Sequence, residues 1–160
     1  IYLCVPGILG DVTDIVYEDW VKCQSLMWGV ARKTLTDPGR VTSRNVGAPQ
    51  FSSVTIKKAI DRSSSELFTQ LCLARCSSDL RIYVCQTREQ TRPYLQYELG
   101  GVFITELMHE VVQQRNDIVL LETLVIEFNQ MELSYLSRNE KNEFFDKHSA
   151  GYNTNTLDMF

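Results

Sequence analysis

The chain has 160 residues, with 20 acidic residues against 16 Lys and Arg for a net charge of −4, and 44% of it is hydrophobic. That length predicts a single domain over residues 1–160, burying about 70% of its unfolded surface. So slight an acid excess argues against a dedicated nucleic-acid binder or a protein held on anionic membranes, and no run approaches the roughly 18 apolar residues of a membrane span.

The opening IYLCVPGILG alternates, with Ile1, Leu3 and Val5 on one side and Tyr2 and Cys4 on the other, before Pro6-Gly7. This predicts a short strand entering a turn. An export signal needs a basic start and an unbroken apolar core; here no Lys or Arg precedes Lys22, and Pro6 and Gly7 interrupt the run. Asp11, Asp14, Glu18 and Asp19 follow, so the first nineteen residues carry −4 and nothing positive. The cluster DVTDIVYED lacks the spacing of a calcium loop.

Period-two alternation then dominates. Trp20, Lys22, Gln24, Leu26, Trp28 and Val30 alternate with Val21, Cys23, Ser25, Met27 and Gly29; Val54, Ile56, Lys58 and Ile60 alternate with Ser53, Thr55, Lys57 and Ala59; Leu80, Ile82 and Val84 alternate with Arg81, Tyr83 and Cys85. These are strands rich in β-branched and aromatic residues. Between the first two, TDPGRVTSRNVGAPQ (Thr36–Gln50) has no period and reads as a long irregular loop of the kind that carries function. From Arg32 to Pro49, Arg32, Lys33, Arg40 and Arg44 stand against Asp37, a net of +3.

In DRSSSELFTQLCL, Ser63 with Glu66 three residues later reads as a capping box. Leu67/Leu71 and Phe68/Cys72 form one apolar stripe of a short helix packed on the sheet. Two later strands change phase, at Gly100-Gly101 and at Asn129-Gln130, where bulges or bends are expected. Long bent strands predict closure. The fold class is therefore mainly β: a β-barrel of two packed antiparallel sheets with one short α-helix.

The five Cys are odd in number and contain no CxxC, which reads as free thiols in a reducing compartment. With only His109 and His148 available, a four-ligand zinc site would need distant partners, so no metal is expected. GxSxG, HExxH, P-loop and GxGxxG are all missing, so an enzyme is disfavoured and no cofactor is expected. The residues alone leave function open among a self-assembling structural protein, a monomeric β-barrel binding a small ligand, and a hydrolase using N-terminal carboxylates.

A resemblance narrows this. GDVTD…Y..W (Gly10–Trp20), S..WGV.R (Ser25–Arg32), APQFSSVTIKKAIDRSSSELF (Ala48–Phe68), PYLQYEL (Pro93–Leu99), ETLVIEFNQMELSY (Glu122–Tyr135) and SAGYN (Ser149–Asn153) occur in the order seen in the haemolysin-coregulated protein (Hcp) family. These are tube proteins of the type VI secretion system. The resemblance implies a β-barrel protomer forming a homo-hexameric ring. Rings stack into a tube that a sheath drives into a target cell, with spike proteins and secreted effectors as further partners. It implies a bacterial cytoplasmic protein before assembly, exported without a cleaved signal peptide. It also implies that the Thr36–Gln50 loop reaches a neighbouring ring. On charge, Asp37, Pro38, Gly39, Arg40 and Arg44 are then expected to form a ring-stacking loop, meeting an acidic counter-surface of Asp11, Asp14, Glu18 and Asp19. ITELMHE (Ile104–Glu110) departs from the family's small polar residues, leaving Glu106, Met108 and His109 without a family role. The few residues after SAGYN leave no expected room for a fused toxin domain.

Overall fold

The alternating segments pair as antiparallel strands in a computed structural model that describes residues 1–35, 45–86, 92–114, 117–138 and 144–160. In chain order they are β1 (Tyr2–Cys4), β2 (Val21–Met27), β3 (Val30–Leu35), β4 (Asn45–Phe51), β5 (Val54–Ala59), helix α1 (Ser64–Cys72), β6 (Ser77–Gln86), β7 (Arg92–Gln114), β8 (Asp117–Glu127), β9 (Gln130–Arg138), β10 (Phe144–Asn153) and β11 (Asp158–Met159). The main sheet runs β11-β10-β9-β7-β6-β1-β2-β5-β8, and β8 pairs back onto β7. That last pairing closes β7, β6, β1, β2, β5 and β8 into a barrel, with β9, β10 and β11 extending one side. The two sheets share β2 and β7, and β3 and β4 form a separate two-stranded ribbon.

One bent strand makes closure possible. Strand β7 pairs with β9 up to Gly100 and with β6 up to Val102, and from Phe103 onward with β8. Tyr97 and Leu99 point into the core before the bend and Val102 after it, so the phase slip is the bend itself. Gly101 has φ +61, and a Cβ there would lie 2.6 Å from the Asn129 amide. Glycine alone satisfies both demands. The second slip is a break rather than a bend. Here β8 ends at Glu127, β9 starts at Gln130, and the Asn129 N–H donates to Gly100 O at 2.9 Å. Both strands thus turn the same corner, stitched together.

Three expectations are corrected. The Trp20–Val30 run is not one strand: a bulge between Cys23 and Ser25 shifts its phase. Val21 and Cys23 are buried, then Leu26 and Trp28 pack on the core while Met27 is exposed. A bulge adds one residue and moves the following side chains to the other face. Second, Asn45–Gln50 belongs to β4 rather than to a loop, with Pro49 opposite Arg32. Proline is tolerated because a two-stranded ribbon has open edges.

Third, Ser63 makes no side-chain cap. Asp61 takes that role: its Oδ1 accepts from the Ser63 N–H at 3.0 Å and from the Ser63 hydroxyl. The apolar stripe is also narrower than the spacing suggests, since Leu67 is fully buried while Phe68 and Cys72 are exposed.

Candidate assembly surface

The acidic segment folds as an Ω-like loop whose ends meet. The Gly10 N–H donates to Asp19 O at 2.6 Å, Val12 N–H to Trp20 O at 3.1 Å, and Asp19 N–H to Val12 O at 2.9 Å. A Cβ on Gly10 would sit 2.3 Å from Trp20 O, so only glycine allows this approach. The loop is anchored by aromatic rings. Tyr17 is buried, stacks on Tyr2 at 4.5 Å, and meets Trp20 and Tyr83 edge-on. Arg81 lies over the Trp20 ring at 5.6 Å, a cation–π contact. Burial raises the Tyr17 phenol well above the usual tyrosine range, reinforced by Cys85 Sγ 3.3 Å from its hydroxyl; burial and then the Asp14 charge raise Tyr2 as well.

A cation two residues before α1 clamps the same loop. Arg62 Nε donates to Gly10 O at 2.6 Å and lies 3.2 Å from Asp11 Oδ1, while its terminal nitrogen donates to Asp19. Of the four expected counter-surface residues, Asp11 and Asp19 are therefore paired within the chain. Asp14 Oδ1 accepts the Val16 N–H at 2.9 Å, closing the turn, and Glu18 is exposed. The structure brings the four acids onto one loop, with one guanidinium offsetting part of their charge. We expect Arg62→Ala to cost about 1 kcal/mol, the scale of a half-exposed ion pair, and to speed amide exchange at Gly10, Val12 and Asp19. Unchanged exchange there would show that the clamp contributes nothing.

The expected stacking residues Asp37, Pro38, Gly39, Arg40 and Arg44 lie outside the described residues. The ribbon leading to them is described. Its base forms one wall of an apolar groove of about 280 Å³, with Trp28, Phe51, Leu133 and Tyr152 among its lining and Arg32 contributing a cation. Phe51 stacks on Trp28 at 6.3 Å and on Tyr152 at 5.4 Å.

Inside the barrel sits a polar network. Lys58 is 0% exposed, and its ammonium donates to Asp61 Oδ1 at 2.8 Å, Ser64 Oγ at 3.0 Å and Ala59 O at 3.1 Å. Glu122, also 0% exposed, faces it from β8, with Oε1 3.0 Å from Nζ but lacking hydrogen-bond alignment, so charge holds that contact. Its other oxygen accepts from His109 Nε2 at 2.7 Å, and His109 is half-exposed. Among the described residues, no three His, Cys, Asp or Glu side chains converge on a metal-sized site, and no helix is long and apolar enough to cross a membrane.

A family model described as "Type VI secretion system effector, Hcp" matches residues 2–135. The chain belongs to the Hcp family. Its fold is similar to a solved "type six secretion system protein" at 16% identity, TM-score 0.91, covering 99% of this chain and 98% of that one. It is also similar to Hcp1 from Salmonella typhimurium at 15% identity, TM-score 0.80, covering 99% and 97%. A type VI secretion system effector from Yersinia pestis gives 17% identity, TM-score 0.73, covering 95% and 98%. At such identities the solved structures speak for the fold. No curated protein sequence matches the chain.

For this Hcp chain, the sequence reading missed Lys58, Glu122 and Arg62. A signal existed for the first two: alternation already places Lys58 on the face of Val54 and Ile56, and Glu122 on that of Leu124 and Ile126. A charge at an inward position of a strand calls for a partner. Arg62 gave no such signal, because its contacts lie 43 and 52 residues away.

Proposed function

We propose that this protein is a non-enzymatic subunit of the type VI secretion inner tube, with residues 1–160 acting as one Hcp-like β-barrel domain. In this reading six copies close into a ring and rings stack into a tube. The tube carries effectors in its lumen, works with spike and sheath proteins, and leaves the bacterial cytoplasm through the machine without a cleaved signal peptide. The observation that carries it is the family match over residues 2–135 on a barrel whose interior is filled. Leu3, Val21, Ile56, Ile82, Leu99, Leu124 and Ile126 are all essentially inaccessible, which leaves the barrel centre to packing and favours work on the outside. A ring of identical copies uses heterologous contacts that close. The pinned acidic loop and the cationic ribbon segment are opposite in charge, and such patches set register and encounter more than affinity.

Light scattering on a sizing column tests this. The expected ring mass is six times 18.4 kDa, with larger stacked species at low salt. Arg40→Glu with Arg44→Glu should keep the ring mass and remove the low-salt stacks. Stacks that survive both changes would remove the charge argument, and an 18.4 kDa species at high concentration would remove the ring.

A further inference from the structure

The acidic loop presents an apolar tip. Ile15 is 95% exposed and Val16 64% exposed, yet their backbone is fixed. The Val16 N–H is held by Asp14 Oδ1, the Tyr17 N–H donates to Asp14 O at 3.0 Å, and the Tyr17 ring is locked on Tyr2. Two β-branched side chains on a rigid turn, flanked by Asp14 and Glu18, form a preorganised knob with an acidic rim. Single exposed apolar residues are ordinary; an adjacent pair on a turn pinned this firmly is a shape that can dock.

The groove behind the ribbon has the opposite character. It is walled by the rigid aromatics Trp28, Phe51 and Tyr152, with Arg32 as its cation. An apolar cavity of about 150 Å³ takes a benzene-sized group, so about 280 Å³ holds the two aliphatic side chains of the knob.

Strand register separates the two features. Leu3, Ile82, Tyr97, Leu133 and Ala150 are successive cross-strand partners through β1, β6, β7, β9 and β10, so they share one face of the sheet. Leu133 and Ala150 line the groove. Tyr2, Tyr83, Gln96, Ser134 and Ser149 are the next rung and share the other face, and Tyr2 and Tyr83 are the rings that hold Tyr17. The knob's anchor and the groove therefore lie on opposite faces of one sheet, which stands between the loop and its own groove.

We propose that Ile15 and Val16 dock into the groove between the β3–β4 ribbon and β9–β10 of a second copy of this chain, with Arg32 of that copy facing the loop's carboxylates. The occupant follows from charge complementarity, matching volume and the opposite-face placement. One face giving and the other receiving makes a heterologous contact, which repeats from copy to copy and closes or stacks. The inference rests on the assembly reading above and names the contact within it.

Photo-crosslinking tests it. Ile15 is replaced by photoreactive benzoylphenylalanine, a change its exposure tolerates, and this light chain is mixed with heavy-isotope unmodified chain before assembly. The expected products are light–heavy cross-links to peptides holding Trp28–Arg32, Pro49–Phe51 or Ala150–Tyr152. Ile15→Asp with Val16→Asp should raise the protein concentration for half-assembly about ten- to a hundredfold, the effect of one well-buried aliphatic side chain. Cross-links to other strands within a ring-sized species would overturn the docking and leave the ring standing. An 18.4 kDa mass with no light–heavy product would overturn both.

Discussion

Lys58→Met is expected to lower the unfolding free energy by about 3–5 kcal/mol, the cost of leaving a buried charge without its partner. Methionine keeps most of the lysine's length and removes the ammonium. Glu122 then stays fully buried opposite an apolar side chain, with His109 as its remaining contact, and Asp61 loses its 2.8 Å donor beside the helix start. Removing both charges with Lys58→Met and Glu122→Leu should recover most of the loss, because an apolar pair of similar volume avoids the desolvation cost that the ions carry. Asp61 tolerates this better than Glu122 does, since the Ser63 N–H and hydroxyl still donate to it. Urea unfolding at one fixed protein concentration gives the values, with an unchanged slope required for the comparison. A single-variant loss below about 1 kcal/mol would show that Glu122 finds other partners easily in this barrel.

The same network shows where sequence reasoning reaches its limit. Strand positions, the corner at Gly100-Gly101 and the acidic loop could be read because each rests on a local signal: alternation, paired glycines, clustered charge. The Lys58–Glu122 contact depends on the register of β5 against β8, strands that come together across 64 residues of chain. Alternation gives a strand its inward face but not its neighbour. The bulge at Cys23 is likewise set by the partner strand, and nothing in KCQS marks it. At the helix start, Asp61 and Ser63 are both cap-type residues two positions apart. The choice fell on Asp61 because its carboxylate also answers Lys58, a partner that a capping rule does not consider. Of the assembly surface, its charge could be read but not its rigidity, which comes from the distant Arg62 and from Tyr2 and Tyr83 on other strands.

Alkaline pH should expose a second buried group. Burial pushes the Cys23 thiol from its ordinary 9.0 to about 12, while the ammonium of Ile1 and then that of Lys58, the cross-strand partner of Cys23, hold back part of the rise. The folded chain therefore keeps this proton through a range in which the unfolded chain releases it. The contribution is complete below pH 9, falls as the unfolded thiol ionises, and is lost as pH passes about 12. At 1.36 kcal/mol per unit, the three-unit interval amounts to about 4 kcal/mol. Cys23→Val replaces the thiol with an apolar group of similar size, so the stability of wild type relative to the variant should fall by about 1 kcal/mol from pH 9 to 10 and by about 3–4 by pH 12. The comparison is made between the two proteins because Tyr17 and Tyr2 are raised in the same direction and lower both stabilities alike once unfolded tyrosines ionise near pH 10. Parallel stability curves for the two proteins from pH 9 to 10 would mean the thiol reaches water in the native barrel.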